Sequence, residues 1–447
     1  MNILMSIIFP KFLDIDDFGY WQLFLFYGSF IGFFHLGVND GIYLRYGGKK
    51  LEVIDKGIIN SQVLLLFLSQ ILICLLGILI FSWTWGNNTS IYIAVLLLMI
   101  ISNVMGFYNS LFQALNKLNY FSNSSIIISI TYIVLIAILY VSKGISLYGI
   151  IICYLISYFF SLIYLIYIYH FRLNNRFSLL LRKSFLKEYK KNLYVGFLLM
   201  ISTICSMLII GVGRFFIERK WGIKVFGIIS LAFTFTTFIL FFIRQIGLVL
   251  FPLLKRINGQ LRRKYYILST SFLNILLLFS PFTIPLIDYF VIHYLPKYEV
   301  SLKYVILLFP TIVYEGKMQI ILNTYMKVLR KEDKLMKINL ISLLFSILFC
   351  AIFSVLRNLE LIILSMTFAV ILRGILLECY LNKILDVKNQ FKILLIFALS
   401  VSYIILIKFL GAHIAFVIYF ILFAIYIFYH KNVFSAIKNE LQTINNK

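Results

Sequence analysis

Four basic side chains, Arg244, Lys317, Arg373 and Lys408, lie inside apolar runs rather than between them. A charge at the centre of a bilayer costs about 2.5–3.5 kcal/mol even on the mildest scales, so each such residue is a functional candidate. Phosphate recognition is one use for them, because a guanidinium presents a planar fork that grips an anion with two parallel hydrogen bonds. Arg244 suits that role best, with Gln245 beside it and the basic exit at Lys255 several residues on. Arg373 has Glu378 five residues later, a spacing that puts the two on different helix faces. Two roles therefore fit Arg373: contact with an anionic cargo, or an ion pair with another helix. Glu315-Gly316-Lys317 interrupts an apolar run that also holds Pro310. It could bind cargo, couple a cation, or form a structural ion pair at a kink.

Shorter-range candidates lie nearer the chain's start. Arg45, at the end of an apolar run, reads as a membrane-surface anchor. His35 is either a packed polar residue or a proton site. Asn103 and Asn109 either bond between helices or line a cavity. Asn39-Asp40-Gly41 reads as a helix-end turn. Arg214 and Lys408 read as outer-end anchors whose long stems reach water. There is no Walker lysine motif, HExxH or GxSxG, so neither ATP hydrolysis nor those hydrolytic chemistries is signalled. No cofactor is expected beyond a coupling Na+ or H+. Driving energy would come from an ion gradient, the membrane potential or removal of product.

The elements that must position these groups are membrane helices. Of 447 residues, 62% are apolar and 13% charged, against about half and a quarter in soluble chains. Gly57 to Asn116 holds no charged side chain, enough for two spans of about 20 residues each. The expected spans lie near 18–39, 58–82, 90–112, 122–142, 146–169, 193–213, 224–250, 266–290, 301–326, 336–356, 360–382, 392–410 and 413–430. The N-terminal MNILMSIIF reads as the tail of a further helix whose beginning is missing, which makes fourteen. The runs are apolar on every face, whereas barrel strands alternate. The fold class is all-α.

The net charge of +24 does not point to nucleic acid, because the basic residues form short segments between spans instead of one patch. One alternate set of loops holds 28 of the 41 Lys and Arg residues and the other set nine. That bias puts the first set, and both termini, in the cytoplasm. The five cysteines sit in apolar runs without a CxxC pair, which argues against disulfides and zinc.

The longest basic loop, 171–192, divides the chain. The expected organisation is a six-helix bundle over 1–170, its first helix incomplete, a linker over 171–192, a second six-helix bundle over 193–385, and a helix pair with a tail over 386–447. Phe18-Gly19 and Phe226-Gly227 open corresponding helices, consistent with parallel repeats. The last pair, joined at Gly411 to His413, is expected to form a hairpin that contributes little to the polar interior.

Pro10 to Lys49, PKFLDIDDFGYWQLFLFYGSFIGFFHLGVNDGIYLRYGGK, resembles the N-terminal signature of bacterial polysaccharide repeat-unit flippases (O-antigen, capsule, exopolysaccharide). These belong to the multidrug/oligosaccharidyl-lipid/polysaccharide exporter superfamily. Phe226-Gly227 through Pro252 and NTYMKVLRKEDKLMKIN at 323–339 extend the resemblance over most of the chain. It implies paired bundles that work by alternating access in the bacterial cytoplasmic membrane. The implied cargo is an undecaprenyl-pyrophosphate-linked oligosaccharide, and the implied partners are membrane lipid and the glycosyltransferases and polymerase of the same pathway. Arg45 would then greet the pyrophosphate at the cytoplasmic mouth. The competing readings are a cation-coupled multidrug exporter of the same superfamily, which calls for a carboxylate-rich cavity, and a membrane-embedded glycan polymerase, which calls for large outer loops.

Overall fold

The computed structural model describes residues 2–49, 54–84, 89–173, 183–256, 259–387 and 390–430, and for 2–3, 81–84, 172, 183–184, 244–256 and 259–260 it describes the backbone alone. Every regular element among the described residues is a helix. In order they are α1 (Asn2–Ile8), α2 (Ile15–Gly28), α3 (Val38–Tyr46), α4 (Lys56–Thr84), α5 (Thr89–Ala114), α6 (Leu118–Val141) and α7 (Leu147–Tyr167). Then follow α8 (Lys183–Arg256), α9 (Gly259–Leu278), α10 (Ile284–Tyr294), α11 (Ser301–Lys317), α12 (Asn323–Val328), α13 (Glu332–Val355), α14 (Leu359–Ile384), α15 (Gln390–Leu410) and α16 (Ala412–Tyr429).

Among the described residues, eleven helices are long and apolar enough to cross a membrane, or twelve with the bent pair Ile15–His35 and Val38–Tyr46 taken as one span. The 74-residue α8 is itself two spans, because its backbone leaves helical geometry at Gly222 (φ 78°, ψ −179°). Arg214 donates to the Ser230 hydroxyl at 2.9 Å, 16 residues along. A straight helix would hold those residues about 24 Å apart. The chain therefore folds back at Gly222 into α8a (183–221) and α8b (223–256). With the short α1, the fourteen segments read from the sequence are all present as helices.

Arg214 is not the outer anchor expected of it. Its guanidinium lies 5.2 Å from the ring centroids of Phe226 and of Phe233. Phe226, Ser230 and Phe233 follow the i, i+4, i+7 spacing of one helix face. That face of α8b closes over the arginine, so the side chain clamps the hairpin instead of reaching outward.

By contacts the chain divides into two compact units, Phe12–Ile204 and Asn2–Lys11 with Cys205–Lys447. The boundary falls inside α8a. Within the anticipated linker, 174–182 lie outside the described residues, and from Lys183 onward the chain is already helical.

In the first unit, the expected span over 18–39 is not one straight helix. α2 starts with Asp16 and Asp17 in its first turn, where a helix's partial positive charge favours carboxylates. It stops at Gly28, and after a 3-10 turn at Ile31–His35 the chain bends by 60° into α3. Leu36 (φ 52°) and Gly37 (φ 87°) make the corner in left-handed geometry. Such a break exposes backbone polar groups, which hydrocarbon cannot satisfy. Buried amides from two other helices supply the partners. Asn103 of α5 donates to the Ile31 carbonyl (3.0 Å) and to Gln70 Oε1 (2.7 Å). Gln70 of α4 donates to the Phe34 carbonyl (2.8 Å), and Asn39 donates back to the Asn103 carbonyl (3.1 Å).

The bend lays α3 directly on α8a. A Cβ at Gly196 would lie 1.9 Å from the Gly37 carbonyl oxygen, and one at Gly41 would lie 2.0 Å from the Asn192 carbonyl oxygen. Backbone meets backbone here, so no side chain can yield. Gly196→Ala or Gly41→Ala should therefore lower stability by about 3 kcal/mol, the upper end of overpacking effects. Gly32→Ala is the control, since its nearest neighbour would be His35 Nε2 at 3.9 Å. Thermal unfolding of the detergent-purified variants checks this, with Gly32→Ala expected to melt like the parent.

In the second unit, α11 and α14 run parallel. Thr367 donates to the Leu307 carbonyl at 3.2 Å, and Gly374 gives room to the Tyr314 ring further along. α11 passes through Pro310 and Gly316 without ending, and its irregularity comes just after Lys317 as a π-helical turn at Met318–Leu322. The close approach of Leu277, 2.5 Å from a Cβ placed at residue 316, accounts for that glycine. α15 and α16 form the expected hairpin, with Gly411 at φ 76° in the turn.

Candidate functional site

Four charges meet between α11 and α14 near mid-span. Lys317 Nζ donates to Glu378 Oε2 at 2.8 Å, with side-chain exposures of 0% and 4%. One Arg373 Nη donates to Glu315, and the other donates to the Ser206 hydroxyl of α8a at 2.6 Å. Glu315 also accepts from Gln319 at 3.2 Å. The two pairs differ in access. Lys317–Glu378 is sealed, whereas Glu315 keeps 17% of its side chain exposed beside an Arg373 exposed by 1%. Arg373 Nε has no acceptor among the described residues.

The cluster has two positive and two negative charges. Residue spacing explains how it forms: Glu315 and Lys317 point to different sides of α11, and Arg373 and Glu378 to different sides of α14, so each cation meets the carboxylate across the helix gap. Neutralisation within a pair removes most of the cost of a bare charge in hydrocarbon. Arg373, Glu315 and Lys317 each take part in an interhelical ion pair, one of the roles open to them.

In the first unit, Arg45 of α3 is tied to α8a by three hydrogen bonds. It donates to Glu188 Oε2 (2.5 Å), the Glu188 carbonyl (3.1 Å) and Asn192 Oδ1 (2.5 Å), all on α8a. Asn192 in turn donates to Gln62 of α4 at 2.9 Å. Asn103 is spent on the α2–α3 break. His35 Nδ1 accepts from the Gly37 backbone at 3.0 Å, so the imidazole serves the same corner. Asn109 accepts from Ser124 of α6 at 3.1 Å, a bond between helices. Arg244 and Gln245 lie in the helical backbone of α8b, and their side chains are outside the described residues. Lys408 is exposed, as suits an anchor.

Several partners were not singled out from the sequence. Gln62 and Gln70 are amides in a charge-free apolar run, and Glu188 is the one acid within the basic stretch 171–192. Each carried a visible signal of that kind. Ser206 carried none, since membrane helices contain many serines. Lys392, placed by its sequence in a loop, belongs to the first turn of α15 and donates to Ser271 of α9 at 2.5 Å. The last helix pair is thus less detached from the polar interior than expected. Tyr419 of α16 also donates to the Leu278 carbonyl at 2.8 Å.

The family model described as polysaccharide biosynthesis protein matches residues 1–258, more than half of the chain. The chain belongs to the polysaccharide biosynthesis protein family. Comparison with curated proteins gives no match. Among solved structures, the chain is similar to an inward-facing multidrug resistance MATE family transporter of the MOP superfamily. That likeness has a TM-score of 0.65 at 12% identity and covers 86% of this chain and 98% of the other. It is also similar to the lipid II flippase MurJ in an inward closed conformation, with a TM-score of 0.58 at 16% identity, over 96% of this chain and 98% of that one. This family member therefore has a multi-pass membrane fold, shared with that MATE family transporter and that lipid II flippase.

The sealed pair makes a strong stability prediction. Lys317→Met strands Glu378 without a counter-charge and should cost about 3–5 kcal/mol. Adding Glu378→Gln should recover most of that loss. Fluorescence-detected size exclusion after a heat ramp measures both, and equal melting of the single and double variants would contradict the pairing.

Proposed function

We propose that this protein moves an undecaprenyl-pyrophosphate-linked oligosaccharide from the inner to the outer leaflet of the bacterial cytoplasmic membrane, by alternating access, for capsule or O-antigen synthesis. One observation carries the reading: a chain made of membrane helices throughout its described residues belongs to a polysaccharide biosynthesis family. The fold likeness to a lipid II flippase supports it. Loops rich in Lys and Arg support a cytoplasmic position for both termini, where glycosyltransferases would supply cargo, and a polymerase would take it up outside.

Transport of this cargo needs a cation for the pyrophosphate. Arg373, Lys317 and Arg45 each have a carboxylate partner. Arg244 is the proposed mid-span cation for the phosphate, with Gln245 as its neighbour. Glu315, the least enclosed carboxylate of the buried cluster, is the group on which a coupling Na+ or H+ would act.

Arg244→Ala should cut glycan export by about tenfold to a hundredfold, the loss of one or two charge-assisted bonds. Arg244→Lys should recover part of it, keeping charge without the fork. Export by a flippase-null strain, normalised to protein in the membrane, reads this. Full export by the alanine variant would overturn the assignment.

A further inference from the structure

Three side chains serve the backbone freed at the α2–α3 break, and one of them can titrate. The Gly37 N–H donates to His35 Nδ1 at 3.0 Å, two residues back. This is the pattern of an Asx-turn, in which an Asn or Asp side-chain oxygen accepts from the backbone two residues on. Here a ring nitrogen takes the oxygen's place. A backbone amide can only donate, so Nδ1 is the unprotonated nitrogen and the ring is neutral, with its proton on Nε2. In the imidazolium both nitrogens carry protons. Two N–H groups would then face each other across 3.0 Å, and the Gly37 amide would lose its acceptor.

That amide stands where the corner is tightest. Leu36 (φ 52°) and Gly37 (φ 87°) turn the chain. A Cβ at Gly37 would lie 2.7 Å from the Gly196 carbonyl carbon and from the Phe197 nitrogen of α8a. Gly37 is buried, so a released N–H meets neither water nor a substitute acceptor. His35 itself is half-buried, which leaves its ring open to a proton. The seat of α3 on α8a depends on this turn, since Gly37 and Gly41 both approach the α8a backbone.

The elements packed on the Ile31–His35 turn include α5 and α4. They reach it through Asn103 and Gln70, which are neutral. Their titratable groups are Tyr92 and Tyr108 on α5, and Lys56 and Cys74 on α4, all of types that titrate above about pH 8. On α8a the flanking groups are Tyr194 and Lys191, the latter paired with Glu188. α2 carries Tyr20 and Tyr27, with Asp16 and Asp17 at its far end. α3 carries Asp40, Tyr43, Arg45 and Tyr46. Among the described residues, none of these charges acts on the His35 ring. We propose that His35 is a pH-sensitive staple of the α2–α3 corner: the neutral ring caps the Gly37 amide, and protonation removes the cap and loosens α3 from α8a. The switch does not depend on the cargo assigned above.

Hydrogen exchange of the purified full chain, corrected for the intrinsic effect of pH on exchange, reads the Gly37 amide. The stability that this bond gives is complete above the ordinary imidazole value of about 6.5 and is lost as pH falls below it, because the open corner takes up the proton. Each pH unit below that value favours the open corner tenfold. Protection of the segment 33–41 should therefore fall about tenfold or more between about pH 7.5 and pH 5. His35→Asn places an Asx oxygen where Nδ1 stood, with no proton to gain, and should stay protected at both pH values. His35→Ala should be as unprotected at the higher pH as the parent is at the lower. Asp40 is common to the parent and both variants, so any response of its own cancels in the comparison. Unchanged protection of the parent over this range would overturn the proposal. So would an equal loss in His35→Asn, which would place the titrating group elsewhere.

Discussion

A bilayer interior offers no partner to a charge or to a free backbone group, and that constraint organises most of what is polar in this protein. Lys317 meets Glu378, and Arg373 meets Glu315. In each pair the partners come from different helices, so charge neutralisation and helix registration are achieved by the same contacts. A pair of this kind is weak evidence for net stability, since desolvation offsets much of the attraction, but breaking it strands an ion in a medium that cannot solvate it. The practical effect is specificity: α11 and α14 can slide past one another only by separating both pairs at once.

The same constraint governs the corner between α2 and α3. A 60° bend at membrane depth frees carbonyls that lipid cannot satisfy, and Asn103 and Gln70 answer it from α5 and α4. Gly37, Gly41 and Gly196 then let α3 rest on α8a with backbones in contact. The glycine-rich motif that carries the family resemblance is thus explained locally by close packing and by a left-handed corner, with Arg45 locking the arrangement from the end of α3.

Spans were legible because twenty apolar residues between basic loops admit few other readings. The turn at Gly222 lay between two expected spans, and the α15–α16 hairpin was implied by its three-residue connection. The α2–α3 break was not legible: no proline marks it, and its stabilising amides, Gln70 and Asn103, lie 36 and 72 residues from the carbonyls they satisfy. Arg373 shows the corresponding limit at the site. Its charge was visible, but its partner sits 58 residues earlier on a helix whose register against α14 no single sequence reveals. Arg214 failed for a different reason, since position along a span says nothing about which side of the helix faces lipid.

The central claim is that the cargo is a lipid-linked oligosaccharide, as opposed to a small organic cation. Purified protein in liposomes loaded on the inner leaflet with a fluorescent polyprenyl-pyrophosphate oligosaccharide tests it directly, with an external glycan-cleaving enzyme as the reporter. The account predicts protein-dependent exposure of the oligosaccharide, slowed by Arg244→Ala. Export of an organic cation dye by the same vesicles, with the glycolipid remaining inside, would contradict it.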